Sequence, residues 1–223
     1  MYNRDTELLA HILRDPIETS SGQAIGLLKI NGRHMKKLSF VFLILLFSAR
    51  SLSAQSLQEI NLTDAVTGKV MNLQSQVKGK GLVLIFHSLS CPFANMYESR
   101  LITLRSKYQS QGFTFILINP EVSSSPEDQS SLKNYIDESD MNMPYLIDEN
   151  QSLTKLLKIT KIPEVIVLSP VGVVSYRGAL DNNPQAESAV SAKYLDRAID
   201  SILKGEMPSP EQARAVGCNV RTY

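Results

Sequence analysis

The sequence predicts an α/β domain in which helices flank a central mixed sheet, with a β-hairpin extension at the N-terminal side. Two observations support this fold class. The run Leu82–Phe86 is apolar without a break, as in a strand that is buried on both faces of a sheet. Segments with helical and strand-like spacing then alternate along the chain, an order that is typical of an at least partly parallel sheet.

The first elements are justified by their apolar spacing. A hairpin is predicted over Ile60–Leu73, where apolar and polar residues alternate around a turn at Gly68. The buried strand Leu82–Phe86 follows. After Pro92, apolar residues recur at helical spacing until Gly112, which predicts one helix. The residues that define this helix are Phe93, Tyr97, Leu101, Leu104 and Tyr108.

The second half of the chain continues the alternation of strands and helices. A helix is expected to begin near Ser125, because Pro126 is well tolerated in a first helical turn. A hairpin with a turn near Gly172 precedes the last helix. In chain order, the predicted segments are the strand Phe113–Ile118, the helix from Ser125, the strand Tyr145–Ile147, the helix Gln151–Leu157, the hairpin strands Val165–Leu168 and Val173–Tyr176, and the helix Ala186–Leu203.

Composition excludes several classes of function. The 223 residues include 23 basic and 22 acidic side chains, so the chain lacks the basic excess that nucleic-acid binders and polybasic membrane-surface proteins need. The chain has three His and two Cys, too few for a zinc site built from several such ligands. We therefore expect no nucleic-acid partner, no metal and no cofactor.

A secretory signal peptide is predicted at residues 35–54. A basic start at Met35 precedes a short apolar run at residues 39–47, and a small-residue segment ends at Ala54. The apolar run has about half of the roughly 20 residues that span a bilayer. We expect cleavage after Ala54, export to the periplasm and no stable membrane insertion afterwards. The alternative is a membrane anchor formed by an uncleaved N-terminal segment.

The predicted signal peptide separates an N-terminal extension from the predicted domain and its C-terminal tail. Residues 1–34 are interpreted as a non-native extension that results from an over-long start-codon assignment, and the alternative is a genuine tail in front of an uncleaved anchor. Residues 55–205 form the predicted domain, and residues 206–223 form a C-terminal tail that carries Cys218.

Cys91 is the leading candidate for chemistry. It lies between a buried strand and a helix whose first position is Pro92, so it occupies the positive end of the helix dipole. This environment favours the thiolate, which is the nucleophilic form of cysteine. The alternative is that Cys91 is a small buried apolar residue, as free cysteines often are.

Several stretches together resemble the thioredoxin-like superfamily, and within it the redoxin branch of alkyl hydroperoxide reductases and thiol-specific antioxidant proteins. The similarity is closest to peroxiredoxin-like members of the thioredoxin family, and it covers about residues 56–220. The matching stretches include Phe86–Pro92, Ile118–Pro120, Pro126–Asp128, Pro144–Glu149, Ile162–Pro163, Tyr176–Gly178, Asp181–Asn182 and Gly217–Cys218. The resemblance implies a thioredoxin-like fold.

The resemblance also implies roles for residues around Cys91. Ser88 stands where the closest relatives have their first cysteine, so Cys91 has no resolving thiol within its own turn. Ser88 instead matches the hydroxyl residue that lies three positions before the reactive cysteine of peroxiredoxins; the alternative is an ordinary residue at a strand end. Peroxiredoxins also use an arginine beside the thiolate, for which Arg177 and Lys161 are candidates unless both are ordinary solvated charges.

Ile162–Pro163 resembles the cis-proline pair of thioredoxin-like proteins, which packs against the active cysteine and offers backbone groups to an extended substrate. The resemblance therefore makes Ile162, Pro163, Pro92 and Arg177 candidate substrate-binding residues. The alternative for Pro163 is a trans proline that begins an edge strand.

Cys218 is the second cysteine, and two cysteines in an exported chain are expected to pair or to cycle. The functional interpretation makes Cys218 the resolving thiol, which attacks a sulfenic acid on Cys91 and forms a disulfide. The alternative is a permanent bridge that fixes the tail.

Three functions follow from these interpretations. The first is a peroxiredoxin-like oxidoreductase in which Cys91 reduces hydroperoxides, Cys218 resolves the product and an external thioredoxin-like dithiol donor restores both thiols. The second is a thiol-disulfide oxidoreductase that acts on disulfides of exported proteins. The third is a non-catalytic thioredoxin-fold module with a structural disulfide.

Overall fold

A computed structural model of the chain describes residues 57–221. The predicted extension at residues 1–34 and the predicted signal peptide at residues 35–54 lie outside the described residues. Within residues 57–221, no helix combines the length and the apolar character that are needed to cross a membrane.

A mixed β-sheet forms the centre of the described domain. Its strands β1 to β5, β7, β8 and β9 lie side by side in the order β2-β1-β5-β4-β3-β7-β8-β9, while β6 and β10 form a separate two-stranded pair. The strands are β1 Asn61–Asp64, β2 Val70–Asn72, β3 Gly81–Phe86, β4 Phe113–Asn119, β5 Tyr145–Ile147, β6 Lys161–Ile162, β7 Glu164–Leu168, β8 Val174–Gly178, β9 Gln212–Ala213 and β10 Cys218–Asn219.

The pairing confirms the predicted mixed sheet. The strands β3, β4 and β5 run parallel to one another, whereas β7 runs antiparallel to β3, and β8 runs antiparallel to β7. The predicted N-terminal hairpin is formed by β1 and β2, and β1 also pairs antiparallel with β5. The hairpin therefore extends the sheet at one edge.

Five helices connect or cover these strands in the described part of the chain. They are α1 Pro92–Met96, α2 Glu98–Gln109, α3 Pro126–Glu138, α4 Ser152–Leu156 and α5 Tyr194–Leu203. The single helix predicted after Pro92 is wrong, because the chain breaks at Tyr97 and forms two helices there. The phenol of Tyr97 donates a hydrogen bond to Asp181 Oδ1 at 3.0 Å, so this buried ring is fixed by a distant loop at the break.

The central strand β3 divides the core into two layers. All six of its residues are buried, as the unbroken apolar run predicted. Val83 and Ile85 belong to a cluster with side chains of α2, α3 and α5. Leu84 and Phe86 belong to a second cluster with side chains of the N-terminal hairpin and α4. Because fully burying one such side chain stabilises a fold by about 1.5–3 kcal/mol, β3 holds the loop that follows it firmly in place.

The last predicted helix is too long at its N-terminal end. Residues 186–193, which were expected to be helical, form a loop with a short 3-10 turn at Glu187–Ala189, and the helix begins at Tyr194. The carboxamide oxygen of Asn182 accepts hydrogen bonds from the backbone amides of Ser191 and Ala192, each at 3.0 Å. A side chain thus takes up donors that a helix would use, which is a known way for Asn to compete with helical structure.

The C-terminal tail is paired with the domain at two places. Strand β9 lies parallel to β8, and Gly178 allows this close approach because a Cβ atom there would overlap the carbonyl oxygen of Ala213. Strand β10 then pairs antiparallel with β6, with Cys218 opposite Ile162. The tail therefore returns to the end of β3, where the candidate site lies.

Candidate functional site

Cys91 lies at the N-terminus of α1, in the loop that leaves β3. It is the N-cap residue, its carbonyl oxygen accepts a hydrogen bond from the amide of Ala94 at 3.0 Å, and Pro92 occupies the first helical position. Proline is suited to this position because its missing N–H would have no helical partner there. Only 1% of Cys91 is exposed. The loop thus presents a nearly buried sulfur at the start of a helical turn.

Cys91 forms a disulfide with Cys218. The two sulfur atoms are 2.10 Å apart and the Cα atoms are 6.0 Å apart, although 127 positions separate the residues in sequence. Cys218 is half-buried, whereas Cys91 is buried. The sequence prediction that the two cysteines pair or cycle is thus met by a formed bond between them.

The peptide bond between Ile162 and Pro163 is cis, as the family resemblance implied. The carbonyl oxygen of Ile162 lies 3.2 Å from Cys91 Sγ. This contact is not a hydrogen bond in the disulfide form, because the sulfur carries no proton. In the reduced form, the thiol of Cys91 would have this carbonyl within reach as an acceptor.

The C-terminal tail lies against the Cys91 loop and Ile162 as the short strand β10. Cys218 stands opposite Ile162, and a Cβ atom on Gly217 would overlap the Ile162 carbonyl oxygen. Cys91 and Ile162 share a small buried apolar cluster with Ala94, against which the tail residues Cys218 and Val220 pack. The tail therefore touches both Cys91 and the residue before the cis-proline.

Ser88 is hydrogen-bonded to a carboxylate, Glu121, that the sequence did not indicate as part of the site. The hydroxyl of Ser88 donates a hydrogen bond to Glu121 Oε2 at 2.8 Å, and the hydroxyl of Ser90 donates to the same oxygen at 3.2 Å. The side chain of Glu121 is only 4% exposed. Its position was within reach of sequence reasoning, because Glu121 follows β4, the parallel neighbour of β3, and carboxyl ends of parallel neighbours meet at one edge of a sheet.

Arg221 joins this carboxylate to the tail. Its Nη2 atom donates to Glu121 Oε2 at 3.1 Å and to Ser90 Oγ at 2.8 Å, and its backbone amide donates to Glu121 Oε1 at 3.1 Å. Burial alone would raise the pKa of Glu121, but the bonds from Arg221 and Ser88 outweigh burial and hold that pKa below its usual range. Glu121 is therefore an anion that binds the loop of Cys91 and the tail of Cys218 at once.

Arg177 makes a different contact from the one expected of a peroxiredoxin arginine, which lies beside the reactive cysteine. Its Nη2 atom forms an ion pair with Glu164 Oε1 at 2.8 Å, directly after Pro163 in the chain. Lys161, the other candidate, donates to the side-chain oxygen of Asn219 at 2.6 Å. Arg221, by contrast, reaches the Cys91 loop through its hydrogen bond to Ser90.

His87 is fully buried beneath the loop. Its Nδ1 atom lies 2.6 Å from the hydroxyl of Tyr145, and burial lowers the pKa of His87 to about 4. The ring is therefore neutral near pH 7 and supplies no positive charge for a thiolate on Cys91. Residues 57–221 also contain no group of three or more His, Cys, Asp or Glu side chains that could hold a metal ion.

Comparisons with known proteins identify the family of the chain. Residues 54–177 match the AhpC/TSA family. The Thiol-disulfide oxidoreductase ResA of Halalkalibacterium halodurans is 23% identical over 138 residues, which cover 61% of this chain and 75% of that protein.

Two solved structures share the fold. An uncharacterized conserved protein from Geobacillus kaustophilus is 26% identical, with a TM-score of 0.67 over 74% of this chain and 88% of its own. A hypothetical protein from Sinorhizobium meliloti 1021 is 24% identical, with a TM-score of 0.64 over 72% of this chain and 88% of its own. Since the match to the AhpC/TSA family spans more than half of the sequence, the chain belongs to this family of thioredoxin-like redoxins.

Proposed function

We propose that the chain is a thiol-disulfide oxidoreductase whose working pair is Cys91 and Cys218, and whose substrates are protein disulfides. The observation that carries this proposal is the location of the disulfide. It joins the N-cap of α1 to β10, a strand of two residues at an edge outside the main sheet. Opening the bond therefore displaces at most a short edge strand with its contacts, and leaves the core around β3 packed.

The proposed reaction moves two electrons from the enzyme to a substrate disulfide. The Cys91 thiolate attacks one sulfur of the substrate, a mixed disulfide forms, and the second substrate sulfur leaves as a thiolate. The Cys218 thiolate then attacks Cys91 Sγ, which releases the reduced substrate and closes the Cys91–Cys218 bond. An external thioredoxin-like dithiol donor reduces that bond and becomes a disulfide itself.

The neighbouring residues have supporting roles in this proposal. The first turn of α1, which begins at Pro92, favours the thiolate of Cys91. The backbone of Ile162 and Pro163 is the surface against which a substrate segment lies, as the tail does now. The ion pair of Arg177 with Glu164 fixes the chain directly after Pro163, so Arg177 is a positioning residue.

Hydroperoxide reduction is a second candidate, and the position of Ser88 is the observation that favours it. In that reaction the Cys91 thiolate attacks the peroxide, an alcohol leaves, and Cys91 becomes a sulfenic acid. Cys218 then attacks this sulfur, releases water and forms the same disulfide. The hydroxyl of Ser88 donates its hydrogen bond to Glu121, so it is already engaged with a carboxylate, and for this reason we place disulfide exchange first.

Export remains part of the proposal. The predicted signal peptide at residues 35–54 would deliver the domain to an oxidising compartment, where a Cys91–Cys218 disulfide persists until the dithiol donor reduces it. Periplasmic substrates and an exported dithiol donor fit this location.

Mass spectrometry of the Cys91 thiol state separates these functions. The reduced wild type and a reduced Cys218→Ser variant are each treated with a stoichiometric hydroperoxide or with a protein disulfide. We expect the variant to form a trapped mixed disulfide with the protein, and the wild type to return to the Cys91–Cys218 bond. A sulfenic acid that forms rapidly in the variant with peroxide, without exchange with protein disulfides, would favour the peroxidase instead. A bond that resists mild dithiols would identify a structural bridge and overturn both proposals.

A further inference from the structure

The C-terminal tail lies in the candidate site as an extended segment that is recognised residue by residue. Strand β10 pairs with β6, and the backbone amide of Val220 donates to the carbonyl oxygen of Thr160 at 3.1 Å. At the next residue, Gln151 Nε2 donates to the carbonyl oxygen of Arg221 at 2.6 Å. These contacts bind the main chain, so they accept any extended peptide that reaches the same place.

Three positions of the tail make contacts that depend on the residue type. At Gly217, before the cysteine, a Cβ atom would overlap the Ile162 carbonyl oxygen, so only glycine fits without displacement. Val220, two positions after the cysteine, packs against the cluster around Cys91. Arg221, three positions after the cysteine, binds Glu121 and Ser90.

The subsite for Arg221 is formed by residues of the domain that lie far from the tail in sequence. Glu121 follows β4, and its own amide donates to the side-chain oxygen of Asn119 at 2.9 Å, while Ser88 and Ser90 donate to its carboxylate. A carboxylate that is 96% buried is costly unless it is paired with charge or donors. When the tail leaves, a cation and a backbone donor leave with it, and an incoming segment that supplies both restores them.

We infer that the groove under the tail is a sequence-selective binding site for extended cysteine segments of partner proteins, with glycine before the cysteine, an apolar residue two positions after it and arginine or lysine three positions after it. The tail Gly217–Arg221 is then an internal copy of the preferred segment, and it competes with the partner for the groove. This inference rests on the proposed function, because it names the substrate class of the same cysteine pair.

The capture step is an ordinary thiol-disulfide exchange. The partner cysteine takes the place of Cys218 opposite Ile162, and it arrives as a disulfide with a second thiol. The Cys91 thiolate attacks the partner sulfur, the second thiol leaves as a thiolate, and a bond between Cys91 and the partner forms.

Peptide capture by the full-length chain, with Cys218 replaced so that the adduct is trapped, tests the inference. The reduced Cys218→Ser variant is mixed with the blocked peptide Gly-Cys-Asn-Val-Arg, whose cysteine carries glutathione as a mixed disulfide. Two matched peptides have glutamine in place of the arginine or alanine in place of the glycine. The rate of covalent adduct formation is measured by intact mass spectrometry, and release of glutathione confirms which sulfur is attacked.

We expect the arginine peptide to react about tenfold faster than the glutamine peptide, since a hydrogen bond between charged groups at a partly exposed site contributes about that factor. Adding Glu121→Gln should remove this difference, whereas the exposed control Glu138→Gln should preserve it. The alanine peptide should react about tenfold slower with either carboxylate variant, because its penalty arises at Ile162. In the Cys218→Ser background with Glu121 intact, adding Arg221→Gln should speed capture, because it weakens the binding of the competing tail.

Equal rates for all three peptides would overturn the inference, and so would a preference for arginine that survives Glu121→Gln. Oxidised glutathione serves as the reference substrate for the chemistry itself. If Cys91 fails to react even with this small disulfide, the proposed function fails and the inference falls with it. If Cys91 reacts with oxidised glutathione but does not discriminate among the peptides, only the inference is refuted.

Discussion

Opening the Cys91–Cys218 disulfide is expected to lower the free energy of unfolding by about 5 kcal/mol. The bond closes a loop of 127 residues. In the chain-entropy treatment of cross-links, a loop of this length removes about 16 cal/mol/K from the unfolded chain, which corresponds to about 5 kcal/mol at room temperature. The folded state changes little on reduction, because Cys218 belongs to a two-residue strand outside the main sheet. The reduced chain should therefore stay folded and be less stable.

Urea unfolding measures this difference directly. The chain has eight Tyr and no Trp, so tyrosine fluorescence and far-ultraviolet circular dichroism are suitable probes. With a slope of about 2–3 kcal/mol per molar urea, the midpoint should fall by about 2 M when the oxidised wild type is reduced. The Cys218→Ser variant should unfold at the midpoint of the reduced wild type, and a dithiol should leave its midpoint unchanged.

Two results would refute this reasoning in different ways. A midpoint that moves by less than about 0.5 M on reduction would show that the cross-link does not restrict the unfolded chain as argued. A reduced chain that is unfolded without urea would show that the bridge is indispensable to the fold, which is incompatible with a disulfide that opens in each catalytic cycle.

Three further perturbations test other contacts. Arg100→Met should lower stability by about 3–5 kcal/mol in thermal unfolding, because it leaves the buried carboxylate of Asp181 without its 2.7 Å ion pair. The control Lys107→Met removes a more exposed ion pair and should lower stability by less than about 1 kcal/mol, so equal losses would contradict the argument. Gly217→Ala should leave more of the protein in the dithiol form in a glutathione redox buffer, since the added Cβ displaces the tail, and an unchanged ratio of dithiol to disulfide would count against the close approach. The free energy of unfolding should also fall by about 3 kcal/mol as pH drops from about 6.5 towards about 4, because the unfolded chain protonates His87 at its ordinary pKa while the buried ring, with its pKa lowered to about 4, stays neutral. His87→Gln should flatten this pH dependence of stability. If the variant retains the pH dependence, other groups cause it.

The parts of the fold that were predicted from the sequence are those that short, local residue patterns determine. The apolar run Leu82–Phe86 marks a strand buried on both faces because no polar side chain interrupts it, and Pro92 marks a helix start because few other positions suit its missing N–H. Both signals lie within a few residues of the structure that they specify. The position of Cys91 between them was therefore predictable without knowledge of the rest of the chain.

Contacts between distant residues were not predictable in this way. Arg221 and Glu121 are 100 positions apart, and no spacing in the sequence pairs them. Strand β10 has two residues, too few for an alternating pattern to be detected. The residues of the loop 186–193 are compatible with a helix by themselves, whereas the hydrogen bonds that decide its structure come from Asn182 outside it. The structure was needed for each of these because a partner elsewhere in the chain decides the outcome.

The pairing of β9 with β8 limits how far the second cysteine can travel. Five residue steps separate Ala213, the last residue of β9, from Cys218, and a fully extended chain advances about 3.6 Å per step. While β9 stays paired, Cys218 therefore remains within about 18 Å of its attachment point in either redox state. Such a short tether keeps the local concentration of this thiol near Cys91 in the millimolar range. In the proposed function, we therefore expect an adduct on Cys91 to be resolved by its own chain before the thiol of another molecule, present at micromolar concentration, can reach it.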